Sequence, residues 1–472
     1  MSCCPISHRT ESDLLGSMPI PLEALYGIHT QRAIDNFPIS GLGPQPDLVT
    51  ATILVKKAVA ETNRALGRLD DRLAGAIIQA ADEILAGALR DQFVVDVYQA
   101  GAGTSHNMNA NEVLANRAAE ILGGARGAYD VVHPNDHVNM GQSTNDVFPT
   151  ATRLALLLGV APLLAAAGRL AEALGRKSIE FAGVLKVGRT HLQDAVPMTL
   201  GQEFSGYQGC VEVGAMEIQR SAGALHELNL GATAVGTGLN AGDDYASLAV
   251  ATLQRLTGLG VRAARNRFRV TQSMGDVLCY SSAVRRLAVE VGKIASDLRL
   301  LAMGPRAGLS EIVLPAVQPG SSIMPGKVNP SIPEMVNQVC FQVIGCDATV
   351  TAACEAGQLE LNVMMPVIAW NAIHETTILR AAMATFAERT VEGIVVDAPR
   401  CRELLDRSTA VATALSPYIG YAATAEVAKE SVKSGRPIRE IVRERGLLDD
   451  EQLEQILAPE AMTRPGIAGV KK

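Results

Sequence analysis

Apolar residues recur at helical spacing over most of the chain. The clearest run is Val284, Leu287, Val291, Ile294, Leu298 and Leu301, whose steps alternate between three and four residues. That spacing makes an a/d seam, which packs one helix against another. The runs 151–182, 206–229, 334–354 and 364–393 have the same long helical character. Several helices of about 20–30 residues predict a bundle. Residues 1 to about 143 instead mix short helical stretches with turns such as Pro134-Asn135-Asp136. Pro399 precedes a last region with Gly435-Arg436-Pro437 and the acidic run Asp449-Asp450-Glu451. The expected fold is all-α in three parts: a mostly helical N-terminal domain (1–143), a central long-helix bundle (144–399) and a small helical C-terminal domain (400–472). Apolar helices this long bury more than one face, so the bundle is expected to form a homo-oligomer.

Composition sharpens this in three places. Aromatic residues make up only 4% of the chain, which favours helices over sheets. The net charge is −7, so a basic footprint for nucleic acid is lacking, and any anion site must draw on local groups. Of the cysteines, Cys340, Cys346 and Cys354 sit in an apolar helical run and read as buried free thiols. No CxxC pair suggests a structural zinc site, and the adjacent Cys3-Cys4 pair falls in an expected loose terminus. The N-terminus lacks a signal-peptide core. Fifteen uncharged residues lie between Arg153 and Arg169, short of the ~20 of a membrane span, and Pro162 interrupts them. The chain is expected to be soluble and cytoplasmic.

The most chemically dense segment is Gly320-Ser321-Ser322-Ile323-Met324-Pro325-Gly326-Lys327-Val328-Asn329-Pro330. Its glycines permit positive φ and its prolines remove donors, so a loop is expected. Such a loop can aim hydroxyls, amide N–H groups, a cation and a carboxamide at a small anion. It is not a P-loop, because five residues separate Gly320 from Gly326 where four are needed, and Val328 stands where a metal-binding hydroxyl belongs. Gly236-Thr237-Gly238-Leu239-Asn240-Ala241 has dinucleotide-like spacing. With no strand expected before it and no βαβ unit around it, nucleotide binding is set aside.

Three further segments begin with glycine and then present hydroxyls, amides or histidine. They are Gly101-Ala102-Gly103-Thr104-Ser105-His106-Asn107-Met108-Asn109, Gly141-Gln142-Ser143-Thr144-Asn145-Asp146 and Gly188-Arg189-Thr190-His191-Leu192-Gln193-Asp194. Singly, each reads first as a helix cap. Together, in this order, they resemble the active-site segments of the aspartase/fumarase superfamily, whose members release fumarate by eliminating a β-proton and a leaving group. Tyr26-Gly27-Ile28-His29-Thr30, Asn111–Asn116, Pro197–Glu203, Asn229–Ala234 and Glu360–Val363 extend the likeness over residues 13 to 465.

That resemblance implies a homotetramer with a twenty-helix core and active sites assembled from three subunits. It implies that Ser321 is the base, with its alkoxide stabilised by loop amides and positive charge. Thr104, Ser143, Thr144 and Ser322 would donate to the dianionic aci-carboxylate. Lys327 and Asn329 would bind the α-carboxylate, with Met324 in the pocket. Thr190, His191 and Asn145 would surround the leaving group, and the glycine-flanked loop would close over substrate. Taken alone, His191 reads as a core histidine and Ser321 as a loop cap. Neither a cofactor nor a metal is implied, and Asp136/His137 in a turn is a weak ligand pattern.

Within the superfamily, Ala100–Ser105, Gln142–Asp146 and Pro305–Leu309 resemble aspartate ammonia-lyases, as do Asp91-Gln92-Phe93 and Asp96–Gln99. L-Aspartate, fumarate and ammonia are the expected small-molecule partners. Fumarate hydratase remains open, as do a lyase on an N-substituted aspartate and a non-catalytic protein on this fold. No partner in nucleic acid or membrane is expected.

Overall fold

A computed structural model describes residues 7–242 and 244–470; the Cys3-Cys4 pair lies outside them. Two compact units emerge. One takes in the chain up to Ala165, with Met216–Ala288 and Phe341–Arg380; the other takes in Ala166–Ala215, Val289–Cys340 and the chain from Ala381 on.

The first unit opens with an antiparallel pair, β1 (His8–Asp13) and β2 (Gly16–Pro21), and then turns helical. Its helices are α1 (Ile28–Asn36), α2 (Pro46–Ala65), α3 (Asp71–Leu85) and α4 (Thr104–Ile121). The last three are 20, 15 and 18 residues long, so the short helical stretches expected here are too modest a reading. Their starts are well encoded. Pro46 pre-sets φ at the head of α2, and the Asp70 carboxylate accepts from the Arg72 and Leu73 amides at the head of α3. The buried stripe of α2 runs Val49, Thr52, Ile53, Lys56, Val59, Ala60, Asn63 at helical spacing. Ile53, Ile77, Ala80, Val113 and Leu114 lie in one apolar core.

Long helices follow: α5 (Thr144–Glu180), then, beyond the antiparallel hairpin β3 (Leu185–Thr190) and β4 (Gln193–Thr199), α6 (Leu200–Ala222). Next come the short strands β5 (Glu227–Leu228) and β6 (Arg262–Ala263) with α7 (Tyr245–Thr257) between them, then α8 (Arg267–Gln272). The series ends with α9 (Gly275–Leu301), α10 (Ser331–Glu355) and α11 (Met365–Arg389). All six residues of the 284–301 seam are buried in α9. The all-α class therefore holds, with strands among the described residues confined to four two-stranded pieces. The run 206–229 is displaced: its helix starts at Leu200 and stops at Ala222, before a 3-10 turn and β5.

In the second unit, Val187 of β3 packs with Leu405 and Ala410, and a separate apolar cluster forms around Leu415, Val427, Ile441 and Leu453. Lys186 and Arg189 both reach the wholly buried Glu311 carboxylate, at 3.1 and 3.0 Å.

Helix α5 corrects the reading of Pro162: the helix runs through both Pro149 and Pro162. It is long and apolar enough to cross a membrane by length and composition, but 56% of that apolar window is buried within this chain. It also carries Arg153, wholly buried, with its guanidinium forked onto Asp276 at 2.7 and 3.1 Å. A buried cation with a dedicated carboxylate is the mark of a packed protein interior.

Cys340 and Cys346 are buried free thiols as expected, and burial pushes them up to about 12 and about 11; Cys354 is only partly buried. Removing one partner of a buried ion pair leaves the other charge uncompensated. Asp276→Ala is therefore expected to lower unfolding stability by about 3–5 kcal/mol. A denaturant titration of the variant checks this, and a loss below about 1 kcal/mol would mean that Arg153 finds other partners.

Candidate active site

The Gly101–Asn109 segment forms a tight turn into α4. Ala102 and Gly103 have φ of 60° and 84°, and a Cβ on Gly103 would lie 2.2 Å from the Phe148 ring. Glycine at 103 thus meets both a left-handed backbone and a close approach. The turn leaves Thr104 partly buried at the helix head, where its hydroxyl donates to the Gly101 carbonyl at 3.3 Å. Thr104 must turn that proton outward before it can serve an anion.

Ser143, Thr144 and Asn145 open α5. Ser143 Oγ accepts from the Asn145 amide at 3.2 Å, and Thr144 Oγ1 accepts from Asn107 Nδ2 at 3.1 Å. A hydroxyl that accepts inward keeps its own proton to donate elsewhere. Pro149 has no N–H, so the Asn145 carbonyl loses its helical partner. Asn229 Nδ2 takes that place at 3.1 Å. Beside it, buried Asp146 accepts from the amides of Ser143, Gly231 and Thr233 at 3.0, 2.9 and 3.1 Å. The segment Asn229–Ala234 therefore holds the head of α5. Asn145 Nδ2 spends one donor on the Ala234 carbonyl, which draws the carboxamide into that support.

Two buried charges at this turn go unassigned in the sequence: Asp146 enters only as part of its segment, and Lys56 is not singled out. Lys56 of α2 donates to Asn139 Oδ1 at 3.0 Å and Gln142 Oε1 at 2.8 Å. Burial lowers its ammonium to about 7 against the pull of Asp146; burial likewise raises Asp146 to about 7, against its three amide donors and Lys56. The available signal was Lys56 on the buried stripe of an apolar helix, where a cation without purpose is costly.

In the second unit, Thr190 and His191 sit at the tip of the β3–β4 hairpin, and both are exposed. His191 and Leu192 have φ of 55° and 57°, as the tightest hairpin turns require. Residues of the dense segment form a loop, as expected. Gly320 is needed for contact rather than for φ: a Cβ there would lie 2.3 Å from the Lys327 carbonyl. The φ > 0 position is Gly326, at +80°. Ser321 Oγ accepts from the amides of Ile323 and Met324, at 3.2 and 2.9 Å. Asn329 Nδ2 donates to the Gly320 carbonyl at 2.5 Å, so one of its donors serves the loop itself. Ser322, Met324 and Lys327 are exposed.

The candidate residues thus form two sets. Thr104, Ser143, Thr144 and Asn145 belong to the first unit; Thr190, His191, Ser321, Ser322, Met324, Lys327 and Asn329 belong to the second.

The nucleotide-like segment needs a correction. Strand β5 precedes it and pairs in parallel with β6 across α7, so a rudimentary βαβ unit is present. Two-residue strands leave no pattern to read. Gly236 and Gly238 both donate their amides to the Ala232 carbonyl, which takes those amides from any phosphate. In the turn at Pro134–Val138, His133 Nδ1 accepts from the Asn135 and Asp136 amides, and His137 Nδ1 from the His133 amide.

A family described as lyase matches residues 16–345, and a fumarase C C-terminal family matches 411–464. Aspartate ammonia-lyase from Bacillus sp is 48% identical, covering 98% of this chain and 99% of its own length. The Pseudomonas aeruginosa aspartate ammonia-lyase is 50% identical, with 97% and 98% covered. A Brucella melitensis fumarate lyase:delta crystallin bound to cobalt has TM-score 0.93 and 50% identity, covering 97% of this chain and all of its own. A class II fumarase from Schistosoma mansoni has TM-score 0.94 but 37% identity, over 97% and 99%. Fold and sequence together define a lyase of the fumarase type. The chain belongs to the aspartate ammonia-lyase family of the aspartase/fumarase superfamily.

His106 gives this region a pH signature. Burial lowers its imidazole to about 4, with Lys56 adding to the effect, and Nε2 pairs with Thr52 Oγ1 at 2.9 Å. A folded-state value below the unfolded one means that the unfolded chain gains the proton first as pH falls. The His106 contribution to stability, held above pH 6.5, is therefore expected to be lost between about 6.5 and 4, by about 3 kcal/mol, while Asp146, raised to about 7, works in the opposite sense over the same range. Unfolding titrations of the wild type and His106→Gln check this: in that window the two slopes should differ by about one proton, and equal slopes would refute it.

Proposed function

We propose that this protein is a carbon–nitrogen lyase converting L-aspartate reversibly to fumarate and ammonia. The observation that carries it is near-complete coverage by aspartate ammonia-lyases at 48–50% identity, on a chain that carries the polar residues named below. Fold does not discriminate here, since the fumarase neighbour superimposes equally well. The lower identity to that fumarase and the aspartase-like segments at 100–105, 142–146 and 305–309 favour the amine substrate.

Ser321 removes the proton from the carbon beside the β-carboxylate. The electron pair moves into that carboxylate, giving a dianionic aci-carboxylate, and then expels ammonia as fumarate forms. The two amides aimed at Ser321 Oγ support an alkoxide there. A plain serine turn uses the same geometry, and turnover of Ser321→Ala decides between the two. Thr104, Ser143, Thr144 and Ser322 donate to the developing charge. Ser143 and Thr144 support this best, since both accept from inside and keep their protons free. Lys327 and Asn329 hold the α-carboxylate, beside Met324. Thr190, His191 and Asn145 attend the leaving amine. The loop from Gly320 to Pro330 acts as the lid.

The reading includes a cytoplasmic homotetramer in which three copies complete each site. The exposure of Leu192, Ile323, Met324 and Val328 beside the catalytic candidates supports this, since such apolar groups favour cover. It retains the three-domain division at about 143 and 399.

Incubating the protein with fumarate and ammonium should yield aspartate by NMR, whereas malate would mean a hydratase. Ser321→Ala should lower kcat by on the order of 1000-fold or more with the oligomer intact. Near-normal turnover would remove Ser321 from the base role. Lys327→Met should chiefly raise KM; an unchanged KM with low kcat would move Lys327 to the transition state.

A further inference from the structure

Lys56 is wholly buried, yet its partners are two neutral side-chain oxygens. Those partners lead directly to the carboxylate-binding turn. Asn139 Oδ1 accepts from Lys56 Nζ and also from Asn107 Nδ2 at 3.3 Å and Asn111 Nδ2 at 3.2 Å. Asn107 Nδ2 in turn donates to Thr144 Oγ1 at 3.1 Å. Gln142, one residue before Ser143, is held by Lys56 through Oε1 and by the Val138 carbonyl through Nε2. Asn139 Nδ2 closes the ring on the Gln142 carbonyl at 3.3 Å. One ammonium thus fixes both the approach to Ser143 and the amide that orients the Thr144 hydroxyl.

A purely structural role fits poorly. A well-packed apolar side chain would fill the same space without desolvating a charge. The ionisable groups around Lys56 are Asp146, whose carboxylate is already served by three amides, and His106, which burial keeps neutral. Burial lowers this weakly paired ammonium to about 7, so negative charge arriving with the substrate favours its protonated form and meets the field of that form.

We infer that Lys56 is a positioning residue for the elimination: through Asn139, Gln142 and Asn107 it presets the Ser143 and Thr144 donors, and its charge favours the dianionic aci-carboxylate over the ground-state carboxylate. This rests on the proposed carboxylate role of Ser143 and Thr144. The effect belongs to the transition state more than to substrate binding, because the second negative charge exists only after proton removal.

The test compares two inhibitors on the full-length enzyme. Succinate mimics the ground-state dicarboxylate. The nitronate of 3-nitropropionate is isoelectronic with the aci-carboxylate. Lys56→Met is expected to weaken the nitronate by about 10–100-fold, as loss of supporting partners does around other sites. Succinate should change by less than about 3-fold, and kcat and kcat/KM should fall together. Equal affinities to wild type for both inhibitors, or equal losses for both, would overturn the inference and leave Lys56 a structural cation. If Lys56→Met does not fold, Asn139→Ala tests the positioning half, because it cuts the link to Asn107 and keeps both the Lys56–Gln142 bond and the Lys56 charge. Thr144→Val separates the two levels of argument. A silent Thr144→Val sinks the carboxylate reading itself, whereas a damaging Thr144→Val with no selective loss in the Lys56 and Asn139 variants sinks the inference alone.

Discussion

The buried carboxylate of Asp146 is what the head of α5 depends on. Three amides converge on it, from Ser143 on its own segment and from Gly231 and Thr233 some 85 residues later in sequence. Each bond answers a need created nearby. The Ser143 amide is one of the orphan donors at a helix start. Gly231 has φ of +84° and a Cβ there would lie 2.6 Å from Ala246, so its amide can reach the carboxylate only as glycine. Pro149 then leaves the Asn145 carbonyl without its helical donor, and Asn229 supplies one. A segment rich in hydroxyls would otherwise have many low-energy conformations. Here the buried acceptor and the missing proline N–H leave it one.

That rigidity bears on chemistry because the chain as a whole is acidic. With a net charge of −7 it offers a dianion no general attraction. Stabilisation must come from donors already aimed before the charge forms, since donors that must reorganise give up part of their benefit. The Ser143 and Thr144 hydroxyls meet that condition through what they accept, from the Asn145 amide and Asn107. Thr104 does not yet meet it, since its proton is engaged by Gly101. Preorganisation is therefore uneven across the proposed donor set, and it is best where the buried network is densest.

The parts legible in sequence were those with a local cause. Helical periodicity announced the long helices, and the seam from Val284 to Leu301 is buried throughout. The loop at 320–330 was legible from its glycines and prolines, although Gly320 serves a close approach where positive φ was the natural guess. What stayed hidden had causes far apart in the chain. Lys56 and Gln142, or Arg153 and Asp276, meet only once the helices pack, and nothing in either segment names its partner. The β3–β4 hairpin stayed hidden for another reason. Its turn places His191 and Leu192 at positive φ, where Asn-Gly is the usual signal, so the familiar cue is missing. An aromatic cation-former and a leucine held in that strained backbone region cost energy that a simple connection would avoid. Such strain at a tip carrying Thr190 and His191 fits a segment selected for where it points.

The two sets of candidate residues also differ in kind, and the difference matches what the proposed mechanism asks of each. Ser143 and Thr144 are fixed to the protein interior through buried partners. Ser321, Met324 and Lys327 lie on a loop whose hydrogen bonds are mostly its own: Gly320 to Lys327, Asn329 to Gly320, Met324 to Ser321. A loop closed on itself can move as a unit without breaking the bonds that shape it. A base must approach the substrate carbon and then release product, whereas the donors to the new charge gain by staying still. In the proposed mechanism, an anchored donor set and a self-contained base loop divide these tasks. The same division explains why the loop was readable from local sequence while the anchor beneath Ser143 was not.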